Sequence, residues 1–145
     1  METKSGKHEV VFKMNTVYDL LKKGTLHDNP TDFPICNDKL DATYINFSLG
    51  KTADDPNPQK YLLNIAHDNE TKPLKLEVGV YYLQEFYVYS NVGKLWAAAP
   101  ADSPYIAISG GRIKGLEFPF EVKAFQTLTV EVDVLCWEEI PYTEY

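Results

Sequence analysis

Gly79-Val80-Tyr81-Tyr82-Leu83-Gln84-Glu85-Phe86-Tyr87-Val88-Tyr89 alternates like a strand and then changes phase. Tyr81 and Leu83 share one parity, and Phe86 and Val88 share the other. Successive side chains of a strand point to opposite faces, so a change of phase means one inserted residue. The stretch predicts a long strand with a β-bulge at Gln84-Glu85, burying both Leu83 and Phe86. Tyr87 and Tyr89 then stand on the face away from the core.

The flanking sequence carries the same period. Val10, Phe12 and Met14 alternate in a first strand over residues 8–14. Ile45, Phe47 and Leu49 turn inward, with Tyr44, Asn46 and Ser48 outward. Strand character returns over residues 61–66, at Leu74, Leu76 and Val78, and over residues 94–98. Phe118, Phe120 and Val122 alternate around an outward Pro119, the mark of an edge strand. Leu128, Val130, Val132, Val134 and Cys136 form the clearest inward series of all. Breakers separate these runs, notably Asp54-Asp55-Pro56-Asn57-Pro58. Asn15 or Thr16 is placed to cap a two-turn helix with Val17, Leu20 and Leu21 on one side and Gly24 as its stop. About seven or eight short strands with one N-terminal helix predict an all-β, two-sheet Greek-key sandwich.

The chain has 145 residues, enough for one domain with a substantial core. Residues 8–139 read as that domain. Residues 1–7 read as a disordered tail or as residues placed ahead of the native chain, and 140–145 as a C-terminal tail. A net charge of -7 repels a phosphate backbone, so nucleic acid is a poor partner. No apolar run approaches the ~20 residues that span a bilayer, so this segment is not expected to insert into a membrane. Met1 to Lys7 has no apolar signal region. A cytoplasmic protein and an excised piece of an exported one both fit that observation.

Cys36 and Cys136 are the two cysteines. Cys136 has core parity, and Cys36 lies in the apolar run Phe33-Pro34-Ile35-Cys36. A bridge between them would close a loop of roughly 100 residues, worth ~4–5 kcal/mol if unstrained. Two buried free thiols are the plainer alternative.

Three pieces in order resemble a known group. They are Gly79 to Tyr89; Gly93-Lys94-Leu95-Trp96-Ala97-Ala98-Ala99-Pro100 with Ser103 and Ala107; and Phe118-Pro119-Phe120-Glu121-Val122 leading to Val130 through Trp137. Over about residues 40–137 the chain resembles exported β-sandwich modules of Bacteroidetes surface proteins, in the broad transthyretin-like and fimbrillin-like group. The resemblance implies a Greek-key domain, export through a lipoprotein signal, and adhesion or assembly at the cell surface. It implies no catalytic residues. Two departures stand out: no lipoprotein signal is present, and the chain stops at Tyr145 where further strands are expected.

Motifs for catalysis are absent: no nucleophile elbow, H-E-x-x-H helix or P-loop. His8, His27 and His67 are dispersed, and Glu138-Glu139 suit a solvated tail better than an acid/base pair. Asp28, Asn29 and Asp32, or Asp54, Asp55 and Asn57, or Asp68, Asn69 and Glu70, offer oxygen ligands for calcium, without EF-hand spacing. Turn formation explains the same residues more simply. No catalytic, metal or cofactor residue is therefore assigned. The remaining candidate is an aromatic face of Tyr87, Tyr89, Trp96 and Trp137, suited to a sugar ring or a protein partner. The reading is a non-enzymatic cell-surface or extracellular module for attachment or assembly, with a protein or glycan partner. A carbohydrate-binding module is the first alternative, and a cytoplasmic or virion structural protein the second.

Overall fold

The computed structural model describes residues 7–16, 41–67, 69–100 and 115–136. Within them every regular element is a strand: β1 (Lys7–Thr16), β2 (Ala42–Gly50), β3 (Gln59–His67), β4 (Glu70–Thr71), β5 (Leu74–Glu77), β6 (Gly79–Ser90), β7 (Leu95–Ala98), β8 (Phe118–Val122) and β9 (Leu128–Cys136).

The phase change in β6 is a bulge. Ser48 pairs with Glu85 and Leu49 pairs with Leu83, which leaves Gln84 as the inserted residue. Leu83 and Phe86 are both fully buried. One extra residue bends the strand and raises its twist, and that bend lets β6 serve several neighbours. β2 runs along one edge, pairing up to Leu83 and Tyr82. β8 also pairs with Tyr82 and Leu83, so it must lie on the opposite edge, where β7 follows it at Tyr87 to Tyr89.

β1 repeats this arrangement. β9 runs parallel to it from Val10↔Leu128 to Thr16↔Val134. The other edge takes β5 at Lys7 to Val10 and then β4 at Lys13. Where the ladder passes from β5 to β4, the Phe12 N–H donates to the Thr71 hydroxyl at 3.1 Å, and Met14 N–H to the Asn69 carbonyl at 2.9 Å. A side-chain oxygen thus replaces a missing backbone acceptor.

The pairings close on themselves through β1–β9–β7–β6–β2–β3–β4 and back to β1. The result is a seven-strand barrel, with β5 and β8 attached beside it. This corrects the expected two-sheet Greek-key sandwich. A sandwich leaves unjoined edges, whereas here short pairings join them: Ala97↔Cys136 and Ala98↔Leu135 on one side, Ile65↔Thr71 and His67↔Glu70 on the other. The first strand has partners on both its sides. The expected N-terminal helix is also corrected where it falls in view: Asn15 and Thr16 continue β1. No helix occurs among the described residues, and residues 17–24 lie outside them.

The barrel interior is packed with side chains, as a barrel of this size allows. Phe12 sits at its centre, with ring centroids 4.7 Å from Phe47, 6.1 Å from Phe86 and 6.0 Å from Phe120. Val130, Val132, Val134 and Cys136 line the wall supplied by β9. Any binding site built from these walls therefore belongs on the outside.

Candidate functional site

Three strands, β3, β2 and β6, lie side by side and present one outer face. Register places its residues in three rows. Asn64, Tyr44 and Tyr89 form the first, Leu62, Asn46 and Tyr87 the second, and Lys60, Ser48 and Glu85 the third. The bulge at Gln84 decides this assignment. Without the inserted residue, Tyr87 and Tyr89 would share the parity of Tyr81 and Leu83 and point into the barrel.

A groove of about 490 Å³ runs over this face. Among the described residues its lining includes Tyr89, Tyr87, Leu62, Asn46, Ser48, Lys60 and Glu85. Tyr44 stands outside that lining but stacks on Tyr89, with centroids 5.2 Å apart and planes 11° from parallel. Such a cross-strand aromatic pair contributes ~0.5–1.5 kcal/mol and limits the freedom of both rings. One end of the groove is thus a pre-set aromatic ledge.

The other end is polar and carries an unusual atom. Ser48 has outer parity yet is only 1% exposed, and among the described residues its Oγ has no hydrogen-bond partner. An orphaned buried hydroxyl costs ~1–3 kcal/mol, so most folds satisfy it. Its cross-strand neighbours are Lys60 and Glu85, of opposite charge and both exposed.

The expected face divides on inspection. Tyr87 and Tyr89 lie together in the groove. Trp96 is partly buried and packs against the core, because a register shift between Val88 and Tyr89 displaces β7 there. Trp137 lies outside the described residues. Cys136 is buried and disulfide-bonded, and Cys36 lies outside the described residues. Ser48, Lys60, Glu85, Asn46 and Tyr44 are site residues that the sequence does not single out. The outer parity of Tyr44, Asn46 and Ser48 is legible along their strand, but Lys60 precedes the expected third strand, Glu85 falls in the bulge, and the neighbours of β6 leave no local signal.

The other candidates have structural roles. Asp55 accepts from the Lys51 and Asn57 N–H groups, each at 2.9 Å, and these bonds hold its carboxyl below the ordinary 3.8. Glu117 accepts from the Asp54 N–H at 3.1 and 3.2 Å. Asp28, Asn29, Asp32 and Asp68 lie outside the described residues, among which no group of three metal-ligating side chains occurs. His8 lies on β1 and His67 at the end of β3, while His27 lies outside the described residues. Tyr61 and Tyr81 have phenols pushed above 10.0, chiefly by burial. Tyr81 donates to the Glu77 carbonyl at 2.8 Å, and Lys51 Nζ lies 4.5 Å from its ring centroid. These tyrosines stay protonated at neutral pH.

No protein-family model matches the chain, and no curated protein does. Among solved structures, it is similar to a leucine-rich repeat protein from Bacteroides thetaiotaomicron at 16% identity, with a TM-score of 0.49. The match covers 88% of this chain but 12% of that protein. This likeness bears neither on a transthyretin-like kinship nor on adhesion or a lipoprotein signal.

Proposed function

We propose that the chain is a non-catalytic binding module that holds a carbohydrate on the outer face of β2, β3 and β6. The observation that carries this reading is the groove itself, which joins Tyr87 and Tyr89 to a polar row containing Ser48. A sugar presents the complementary pair of features. Its ring has an apolar face for an aromatic side chain, and its hydroxyls need donors and acceptors close by. Action at the cell surface or outside the cell is part of the proposal. The disulfide at Cys136 supports it, because such bonds persist in oxidising compartments and are rare in the cytosol.

A protein partner is the second reading, in keeping with attachment or assembly. Leu62 is 60% exposed in the middle row of the face. Between residues 59 and 63, β3 pairs with β2 alone among the described residues. An edge of that kind can accept an added strand.

A glycan array probed with the wild type, Tyr87→Ala and Tyr89→Ala separates the two. Binding to a defined glycan class that both variants lose supports the carbohydrate reading. Absence of binding to every glycan on the array overturns it.

A further inference from the structure

We infer that Ser48 Oγ is the group that reads a ligand hydroxyl, and that the ligand is an uncharged glycan. This inference rests on the carbohydrate reading of the groove. Two independent features lead to it.

The first is the partnerless hydroxyl. Ser48 lines the groove, and its Oγ is buried without a donor or acceptor among the described residues. A buried polar group left unpaired lowers stability, and binding sites are where such a cost has a use. A ligand hydroxyl arriving there restores the missing bond. The Oγ is closed to solvent in the free protein, and its cross-strand neighbours are the long side chains of Lys60 and Glu85. Both are exposed, and among the described residues neither is held in an ion pair, so either can swing aside as the ligand enters.

The second feature is charge. Lys60 and Glu85 stand on opposite sides of Ser48, one positive and one negative. The other groove residues named above are Asn46, Leu62, Tyr87 and Tyr89, none of them charged. Among the described lining residues the charges sum to zero, in a chain whose net charge is -7. A uronate or sulfated sugar would gain from Lys60 but meet Glu85 across the same row, inside a molecule of its own sign. A neutral sugar meets no such opposition, and both side chains can hydrogen-bond its hydroxyls.

The test is a calorimetric titration of neutral gluco-, manno- and galacto-oligosaccharides, beside oligogalacturonate of matched length. Wild type should bind one neutral class and bind oligogalacturonate more weakly. Ser48→Ala should weaken the neutral ligand roughly tenfold, the worth of one hydrogen bond. Its melting temperature should stay level or rise, since an orphaned hydroxyl has been removed. Ser48→Cys, which keeps the shape with a poorer donor, should weaken binding in the same direction. Glu85→Gln should narrow the gap between neutral and acidic ligands. Wild-type binding that survives Ser48→Ala unchanged overturns the role of Ser48. Tighter binding of oligogalacturonate than of any neutral sugar overturns the neutral class. Failure of the wild type to bind any member of the panel overturns the carbohydrate reading itself, and this inference with it.

Discussion

Phe12→Ala is the perturbation that bears hardest on the closed barrel. Phe12 is fully buried, and its ring approaches Phe47 of β2, Phe86 of β6 and Phe120 of β8. Truncating a buried phenylalanine costs ~3–5 kcal/mol, the upper part of that range applying where the walls cannot relax into the space. Walls joined into a ring by β1, β9, β7, β6, β2, β3 and β4 have little room to collapse, so a loss of about 4 kcal/mol is expected. With a urea m-value of about 2 kcal/mol/M, the midpoint falls by about 2 M. Phe12→Leu keeps most of the volume and should cost about 1–1.5 kcal/mol, a loss readable even if the alanine variant is largely unfolded. Phe125→Ala is the control: that ring is 68% exposed, and its removal should change stability by under ~0.5 kcal/mol. Urea unfolding followed by far-UV circular dichroism provides all three values. A loss below ~1.5 kcal/mol for Phe12→Ala, or an equal loss for Phe125→Ala, would refute a barrel packed around Phe12.

Three further outcomes follow from local structure. Gly50→Ala places a Cβ 2.7 Å from Asp55 Cβ and 2.7 Å from Gln84 Nε2; the glutamine tip can yield, but Asp55 is tied to two backbone N–H groups, so thermal melts should show a loss of ~1–3 kcal/mol. Reduction should lower the unfolding free energy by up to ~4–5 kcal/mol for a Cys36–Cys136 bridge, and non-reducing peptide mapping by mass spectrometry should yield that linked pair. Because the Asp55 carboxyl is held below 3.8 in the folded chain, its contribution is fully present above the unfolded value and is lost as pH falls through the folded one. The stability difference between wild type and Asp55→Asn should therefore be flat near neutrality and shrink only under acid conditions, measured by urea unfolding across pH.

How much of this was legible in advance depends on the range of the interaction. The inserted residue in β6 was readable because parity is a local property, and Leu83 and Phe86 are buried as that parity requires. The outward tyrosines followed from the same argument. Closure of the barrel was not readable. It depends on β1 lying parallel to β9 and on the short joins β7–β9 and β3–β4, and alternation along one strand says nothing about which strand lies beside it. β4 is two residues long, too short to show any period, and its sequence reads as part of a turn. Parity alone turns Trp96 outward, but Val88 pairs with Ala97 and Tyr89 with Leu95, so Trp96 is itself the inserted residue of β7 and leaves that alternation. Ser48 shows the limit most clearly. Its outward parity was correct, but its burial comes from neighbours on β3 and β6 that only the pairing reveals.

The most direct test of the groove is a nitrogen-15 NMR titration of the wild-type chain with the neutral oligosaccharide bound most tightly in the panel. Saturable amide shifts are expected at Asn46, Ser48, Lys60, Leu62, Glu85, Tyr87 and Tyr89, with β1 and β9 little changed. Saturable shifts that map to another face, or none at millimolar sugar, would contradict a sugar site in the groove.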